Sequence, residues 1–452
     1  MHDYYTLLNG GYSNSGLSKL KLTCPLDEFP PEAYVLSETL EQIDLSGTGL
    51  SSLPSDFGHR LPNLKILFLS SCAFTTFPKA LASCPKLEMV AFRSNGMRRI
   101  PEHALPPRLR WLILTDNKIE SLPKSIGECS LLQKCMLAGN RLRQLPQEMQ
   151  NCRKLALLRL SSNRLEEVPE WLLDMPELAF LSFAGNPCST PTTSPIATPS
   201  LTRVAWSSLK IEHTLGQGAS GIISQAVLHD RSEDNEPVDV AVKLFKGTLT
   251  SDGAPEDEMA AVIAAGQHPN IIDALGQISN HPDELRHDNR FKGGLVLELI
   301  PPEYRNLGLP PSLQSCTRDC YPKDLKLPLS NALSILEGIA AAAQHLFEQG
   351  ISHGDLYAHN ILYNEQGHAL LGDFGAATVH GGSLSDRLEK LEVLAFGHLI
   401  QDIVSVVYTS PGENSLVVDQ LLVIHTLCIN PDVKSRITFT ETMERLRYIA
   451  TI

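Results

Sequence analysis

Long apolar runs are missing from this 452-residue chain. The stretch LSILEGIAAAAQHLF carries Glu337 and Gln344 within it, and no uninterrupted run reaches the length that crosses a bilayer. The opening residues, MHDYYTLLNGGYSNSG, lack a basic segment followed by an apolar core, so no secretory signal is expected there. A basic excess is lacking as well. The formal net charge of −13 sets the chain against a phosphate backbone or an anionic membrane as main partner, because both would repel it. The ten cysteines stand singly, without a CxxC pair for zinc or the dense spacing of a disulfide scaffold. They are expected to be reduced thiols, and the chain to be cytoplasmic. Hydrophobic content of 42% and charged content of 20% exclude neither enzyme nor binding module, but do exclude a disordered or fibrous chain. The length exceeds one compact core, so at least two domains are expected.

What is present first is a period. The pattern L-x-x-L-x-L-x-x-N recurs in LRWLILTDNKIESLP and LALLRLSSNRLEEVP, and Pro54, Pro78, Pro101, Pro123, Pro146 and Pro169 follow at steps of 22 to 24 residues. Asn95, Asn117, Asn140, Asn163 and Asn186 keep the same beat. This resembles the leucine-rich repeat family, with seven clear units from about Leu40 to Asn186 and a cap at LKLTCPLDEFP. Each unit is too small to bury its own leucines, so stacking supplies the core and one short strand per unit lines a curved solenoid. The positions between the leucines point to its concave face: Ile66, Phe68, Met89, Trp111, Ile113, Met136, Leu157 and Phe180. So apolar a row implies a protein partner there, or packing against the chain's own second half.

After Asn186 four prolines fall among Ser and Thr, a composition that builds no core, and the linker is placed at residues 190–207. The expected domains are thus 1–189 and 208–452. The second opens on LGQGASG, where Gly216, Gly218 and Gly221 permit close backbone approach to phosphate, and continues into VDVAVKLF, whose Lys243 can hold phosphates as a point charge. PEDEMAAVIAAGQHPNI reads as a helix whose Glu258 could pair with Lys243; LVLELIP, HGDLYAHN and GDFG follow in order.

Together these elements resemble the eukaryotic-type protein kinase family. The expected fold is an α/β leucine-rich repeat solenoid followed by a two-lobed α+β kinase-like domain. The resemblance implies ATP and Mg2+ as cofactors, with Asp355 accepting the substrate hydroxyl proton, Asn360 and Asp373 binding magnesium, and Lys243 and Glu258 fixing the phosphates under the glycine loop. It also implies that Ile223, Ala241 and Leu362 sandwich the adenine and that His353 is structural.

The chain departs from the family at several points. Gly354 stands where an arginine usually receives the charge of a phosphorylated activation loop, which implies no such switch. Tyr357 stands where Ser/Thr kinases carry a lysine reaching the γ-phosphate. Glu392 replaces the usual anchoring Asp only 19 residues after Asp373, A-P-E is absent, and Arg436 lacks its usual acidic partner. HGDxxxxN also resembles aminoglycoside and choline kinases, which phosphorylate small hydroxyl compounds, and a non-catalytic scaffold is a third reading. The full glycine loop, HPNI and DFG favour a protein kinase, with Ser/Thr specificity implied by resemblance alone.

Overall fold

The computed structural model describes residues 2–12, 15–189, 201–218, 220–229, 236–247, 249–285, 293–380, 384–408 and 415–451. Most of the expected linker, residues 190–200, lies outside them, as do 381–383 of the segment after GDFG. The chain forms two compact units, Met1–Leu178 and Ala179–Ile452.

The first unit carries seven three-residue strands: β1 (Lys19–Lys21), β2 (Gln42–Asp44), β3 (Ile66–Phe68), β4 (Met89–Ala91), β5 (Trp111–Ile113), β6 (Lys134–Met136) and β7 (Leu157–Arg159). Each pairs in parallel with the next, so equivalent positions stand side by side, as in Ile66, Met89, Trp111 and Lys134. Short helices α1 (His2–Leu8), α2 (Phe57–Arg60) and α3 (Glu170–Leu173) and several 3-10 turns complete the unit. Leu67, Val90, Leu112, Cys135 and Leu158, at the middle of successive strands, are fully buried.

The periodic asparagines satisfy backbone that the short strands leave unpaired. Asn140 accepts from the Ile119 amide at 3.0 Å and donates to the carbonyls of Leu114 and Leu137, both at 2.9 Å. Asn163 repeats the arrangement with Leu142, Leu137 and Leu160. No apolar residue could close these bonds, which is why Asn recurs where the rest of the unit is leucine.

The apolar row expected to form an open face is partly closed. Ile66, Phe68, Trp111, Ile113 and Met136 are half-buried, but Met89, Leu157 and Phe180 are buried. Met89 stands in register between Ile66 and Trp111, and strands about 4.8 Å apart let such large neighbours cover one another. Lys134 lies over the Trp111 ring, 4.4 Å from its centroid.

The second unit begins with a last strand of the repeat pattern, β8 (Phe180–Ser182). Next come β9 (Arg203–Ala205), β10 (Leu209–Gln217), β11 (Gly221–Leu228), β12 (Val238–Phe245), helix α4 (Pro255–Ala265), β13 (Ala274–Ser279) and β14 (Gly294–Glu298). Six of these strands form one sheet in the order β10, β11, β12, β14, β13, β9, antiparallel except for the β9–β13 pair. Arg203–Ala205, at the end of the stretch read as linker, is therefore a paired strand, with Val204 buried in the sheet's core beside Leu209, Val240 and Val296. Val238, Val240 and Val242 alternate along β12, and β-branched side chains suit a strand paired on both edges.

The remainder is mainly helical. Small strands β15 (Arg305–Asn306), β18 (Ile361–Tyr363) and β19 (Ala369–Leu371) form a three-stranded sheet, β16 (Leu327–Pro328) pairs with β21 (Val407–Tyr408), and β17 (Ile351–Ser352) pairs with β20 (Thr378–Val379). The helices are α5 (Leu329–Glu348), α6 (Ser385–Val406), α7 (Ser415–Cys428) and α8 (Phe439–Ile449). Gly397 lets α6 approach α7, because a Cβ there would stand 2.7 Å from that of Cys428. Thr438 and Glu441 form a reciprocal capping box that starts α8. No helix among the described residues is long and apolar enough to cross a membrane.

The asparagine ladder makes a quantitative prediction. Asn140→Ala, which orphans the buried Ile119 amide and takes one of two asparagine donors from the Leu114 and Leu137 carbonyls, should cost about 1–3 kcal/mol in urea unfolding, while Asn63→Ala at an exposed bond should cost less than about 0.5 kcal/mol.

Candidate active site

The glycine loop is a hairpin. β10 and β11 pair antiparallel, with Gly216 opposite Ile223, and the Gly218 amide donates to the Gly221 carbonyl at 3.0 Å. A Cβ at Gly216 or Gly218 would meet nothing within 4 Å, so space is open beside both. Gly221 is glycine for another reason: a Cβ would collide with the Leu244 carbonyl of β12. Register then places Ile223 opposite Lys243 and Gln225 opposite Ala241. Leu362 lies on β18, opposite Leu370.

Helix α4 is built to begin where it does. Pro255 occupies its first turn together with Glu256, Asp257 and Glu258, the charges that a helix N-terminus favours, and Gly266 ends it at φ 64°. Glu258 and Lys243 are hydrogen-bonded as a closed ion pair, with side-chain exposures of 4% and 12%. Burial pushes the Glu258 carboxyl above the usual range; Lys243 opposes this, and Asp373 and Asp252 add to it.

On the opposite side the groups are linked by a chain of hydrogen bonds. Asn360 Nδ2 donates to the Asp355 carbonyl at 2.9 Å and to its Oδ2 at 3.0 Å. The Gly372 amide donates to the Asn360 carbonyl, and the buried His353 ring contacts the Gly372 carbonyl, both at 3.0 Å. Asp373 takes a left-handed conformation, φ 55°, and its Oδ1 accepts from the Gly375 amide. Asn360 thus meets Asp355 through its side-chain nitrogen, and Asp373 meets Gly375 through Oδ1. Among the described residues no cluster of three or more His, Cys, Asp or Glu could hold a metal by itself. One carboxylate and one amide oxygen are instead the hard, partial donor set that suits Mg2+ when phosphate oxygens complete its shell.

Beneath the loop, Glu392 of α6 accepts from the Gly354 amide and is almost fully buried. Burial raises its carboxyl to about 7, against the pull of the Gly354 and His353 amides. Among its bonds, Arg436 donates to the carbonyls of Asn430 and Lys390, both at 2.9 Å, while Lys390 returns a bond to the Arg436 carbonyl.

Sequence reasoning missed Asp319, which sits in SCTRDC, a stretch with no motif to flag it. It accepts from the Ala358 amide at 2.5 Å and pairs with His359 at 2.7 Å. Burial works against a charged His359, but Asp319, with Asp355 and Asp373 beyond, outweighs it and raises the imidazole's pKa. Phe180, which the sequence placed in the apolar row, stacks its ring on Tyr357 at 3.9 Å and 10°.

Comparison with known proteins agrees with this geometry. A family model for protein tyrosine and serine/threonine kinases matches residues 209–392, and one for leucine-rich repeats matches 107–165. The chain is 28% identical over 171 residues to fibroblast growth factor receptor 1 of Dugesia japonica, covering 36% of this chain and 18% of that protein. It is 27% identical over 173 residues to a serine/threonine-protein kinase-like protein of Arabidopsis thaliana, covering 38% of this chain and 48% of the relative. Over 90 residues it is 37% identical to a probable inactive L-type lectin-domain containing receptor kinase of the same plant, covering 17% and 14%. The chain therefore spans less than half the length of these curated relatives. A leucine-rich repeat region followed by a protein kinase domain is what this chain comprises.

Glu392 makes the site's stability depend on pH. A carboxyl raised from 4.5 to about 7 in the fold favours the native state below the lower value, and that advantage is lost as pH rises between the two. Relative to Glu392→Gln, the wild type should lose up to about 3 kcal/mol of stability between pH 5 and pH 8 in thermal or chemical unfolding. A gap that stays flat would mean that Glu392 is ionised throughout.

Proposed function

We propose that the chain is an ATP- and Mg2+-dependent protein kinase acting on Ser or Thr hydroxyls, and that its repeats recruit the protein it acts on. One observation carries this reading: the closed Lys243–Glu258 pair coexists with a catalytic loop in which Asn360 holds Asp355. Phosphoryl transfer asks a protein for alignment and charge neutralisation, and these groups supply both. Asp355 orients the substrate hydroxyl and takes its proton; Asn360 and Asp373 hold Mg2+, which neutralises charge on the phosphates. Lys243 fixes the α- and β-phosphates beneath Gly216, Gly218 and Gly221, and the adenine lies between Ile223, Ala241 and Leu362. In this reading the sheet and the helices of residues 208–452 are two lobes about the nucleotide, and residues 1–189 form a solenoid. The cytoplasm is the matching compartment.

The test is transfer of labelled γ-phosphate from Mg-ATP to a generic protein substrate. Asp355→Asn should lower the rate by at least about 100-fold with nucleotide binding retained. Lys243→Met should also abolish transfer, although it orphans the buried Glu258 and so costs stability too. Nucleotide binding without transfer to protein would favour the small-hydroxyl kinase or the scaffold, and a panel of hydroxyl-bearing metabolites would separate those two. The recruitment role has its own test. Trp111→Asp with Phe68→Asp should leave transfer to casein unchanged and lower phosphorylation of the natural target about tenfold or more through lost effective concentration. Equal loss on both substrates would rule that role out.

A further inference from the structure

We propose that the last repeat strand, β8, is a positioning element of the catalytic loop, with Phe180 as its anchor. The inference rests on the kinase reading above and extends it: the working unit would begin at Phe180, ahead of the linker.

Four consecutive residues each meet a different part of the site. Phe180 stacks face to face on Tyr357, and both rings are buried, at 3% and 4% exposure. The Leu181 carbonyl lies 2.8 Å from where a Cβ of Gly354 would stand. Ser182 Oγ donates to the Asp252 carbonyl at 3.4 Å, in the loop just ahead of the helix that carries Glu258. The Phe183 amide donates to Thr378 Oγ1 at 3.1 Å, on the strand that follows Asp373 and pairs with Ser352.

These contacts reach the reacting groups by short covalent paths. The Tyr357 amide donates to the Asp355 carbonyl at 2.8 Å, so a ring held by Phe180 holds the residue bonded to Asp355 on both sides of Leu356. Gly354 precedes Asp355 directly. β8 therefore constrains Asp355 from its two flanks, and through Asp252 and Thr378 it ties the loop to the segments bearing Glu258 and Asp373. Exposing one edge of a repeat strand to solvent would require none of this. The compact-unit division agrees, since it groups β8 with the kinase fold.

The test uses the full chain with Phe180→Ala and Phe180→Tyr, reading kcat and KM for ATP alongside backbone hydrogen exchange at Gly354, Ala358 and Asn360. Displacing Asp355 should lower kcat about 10- to 100-fold with KM for ATP unchanged, because the phosphate-holding groups are left in place. Exchange at the three amides should rise at least tenfold in Phe180→Ala, and Phe180→Tyr, which keeps the stack, should restore both. Unchanged exchange overturns the proposal, and so does faster transfer, which would make β8 a brake. If the wild type itself moves no phosphate, the kinase reading fails, while exchange still decides whether β8 sets the loop. Should Phe180→Ala not fold, Phe180→Leu keeps the bulk without the parallel stack and carries the same comparison.

Discussion

Gly354 has no room for a side chain. A Cβ there would stand 2.7 Å from the Ala376 carbonyl and 2.8 Å from that of Leu181, and the backbone takes φ 71°, where L side chains are strained. Removing the side chain also bares the amide, which Glu392 accepts from beneath. The loop bearing Asp355 is thus held by α6 through a buried carboxyl and by β8 through backbone and an aromatic ring. Asp319 adds a third attachment at Ala358 and His359. Asp355 sits inside this set of constraints rather than at the end of a free loop, which is the condition for geometric pre-organisation.

Charge sets the next constraint. Asp373 and Asp252 both push the Glu258 carboxyl up, while Lys243, paired with it, pulls the other way. Burial penalises each added negative charge, as the raised carboxyls of Glu258 and Glu392 record. His359 is pushed toward its charged form by the same field.

The repeat period, the glycine loop and HGDLYAHN were legible because each is a local pattern with a local cause. Asn140 and Asn163 must close backbone bonds at fixed offsets, and Gly221 must admit its neighbouring strand, so spacing alone exposes them. What escaped depends on groups far apart in the chain. Asp319 meets residues about 40 positions later, Arg436 reaches the Lys390 carbonyl 46 positions away, and Val204 enters a sheet from a stretch whose composition reads as linker. The apolar row was legible as a row, but sequence could not tell a half-buried Trp111 from a Phe180 closed over by Tyr357.

The two departures in HGDLYAHN follow from one cause. Judged one at a time, a lost arginine at Gly354 and a lost lysine at Tyr357 read as erosion of a catalytic motif. Next to β8 they are complementary: glycine admits the Leu181 carbonyl, and tyrosine supplies the flat apolar surface on which Phe180 rests. A side chain at Gly354 would press on the Leu181 carbonyl, while a lysine at Tyr357 would remove the flat surface on which Phe180 stacks. Both positions therefore meet the same strand, which gives glycine and tyrosine a local physical reason here that erosion of the motif does not supply.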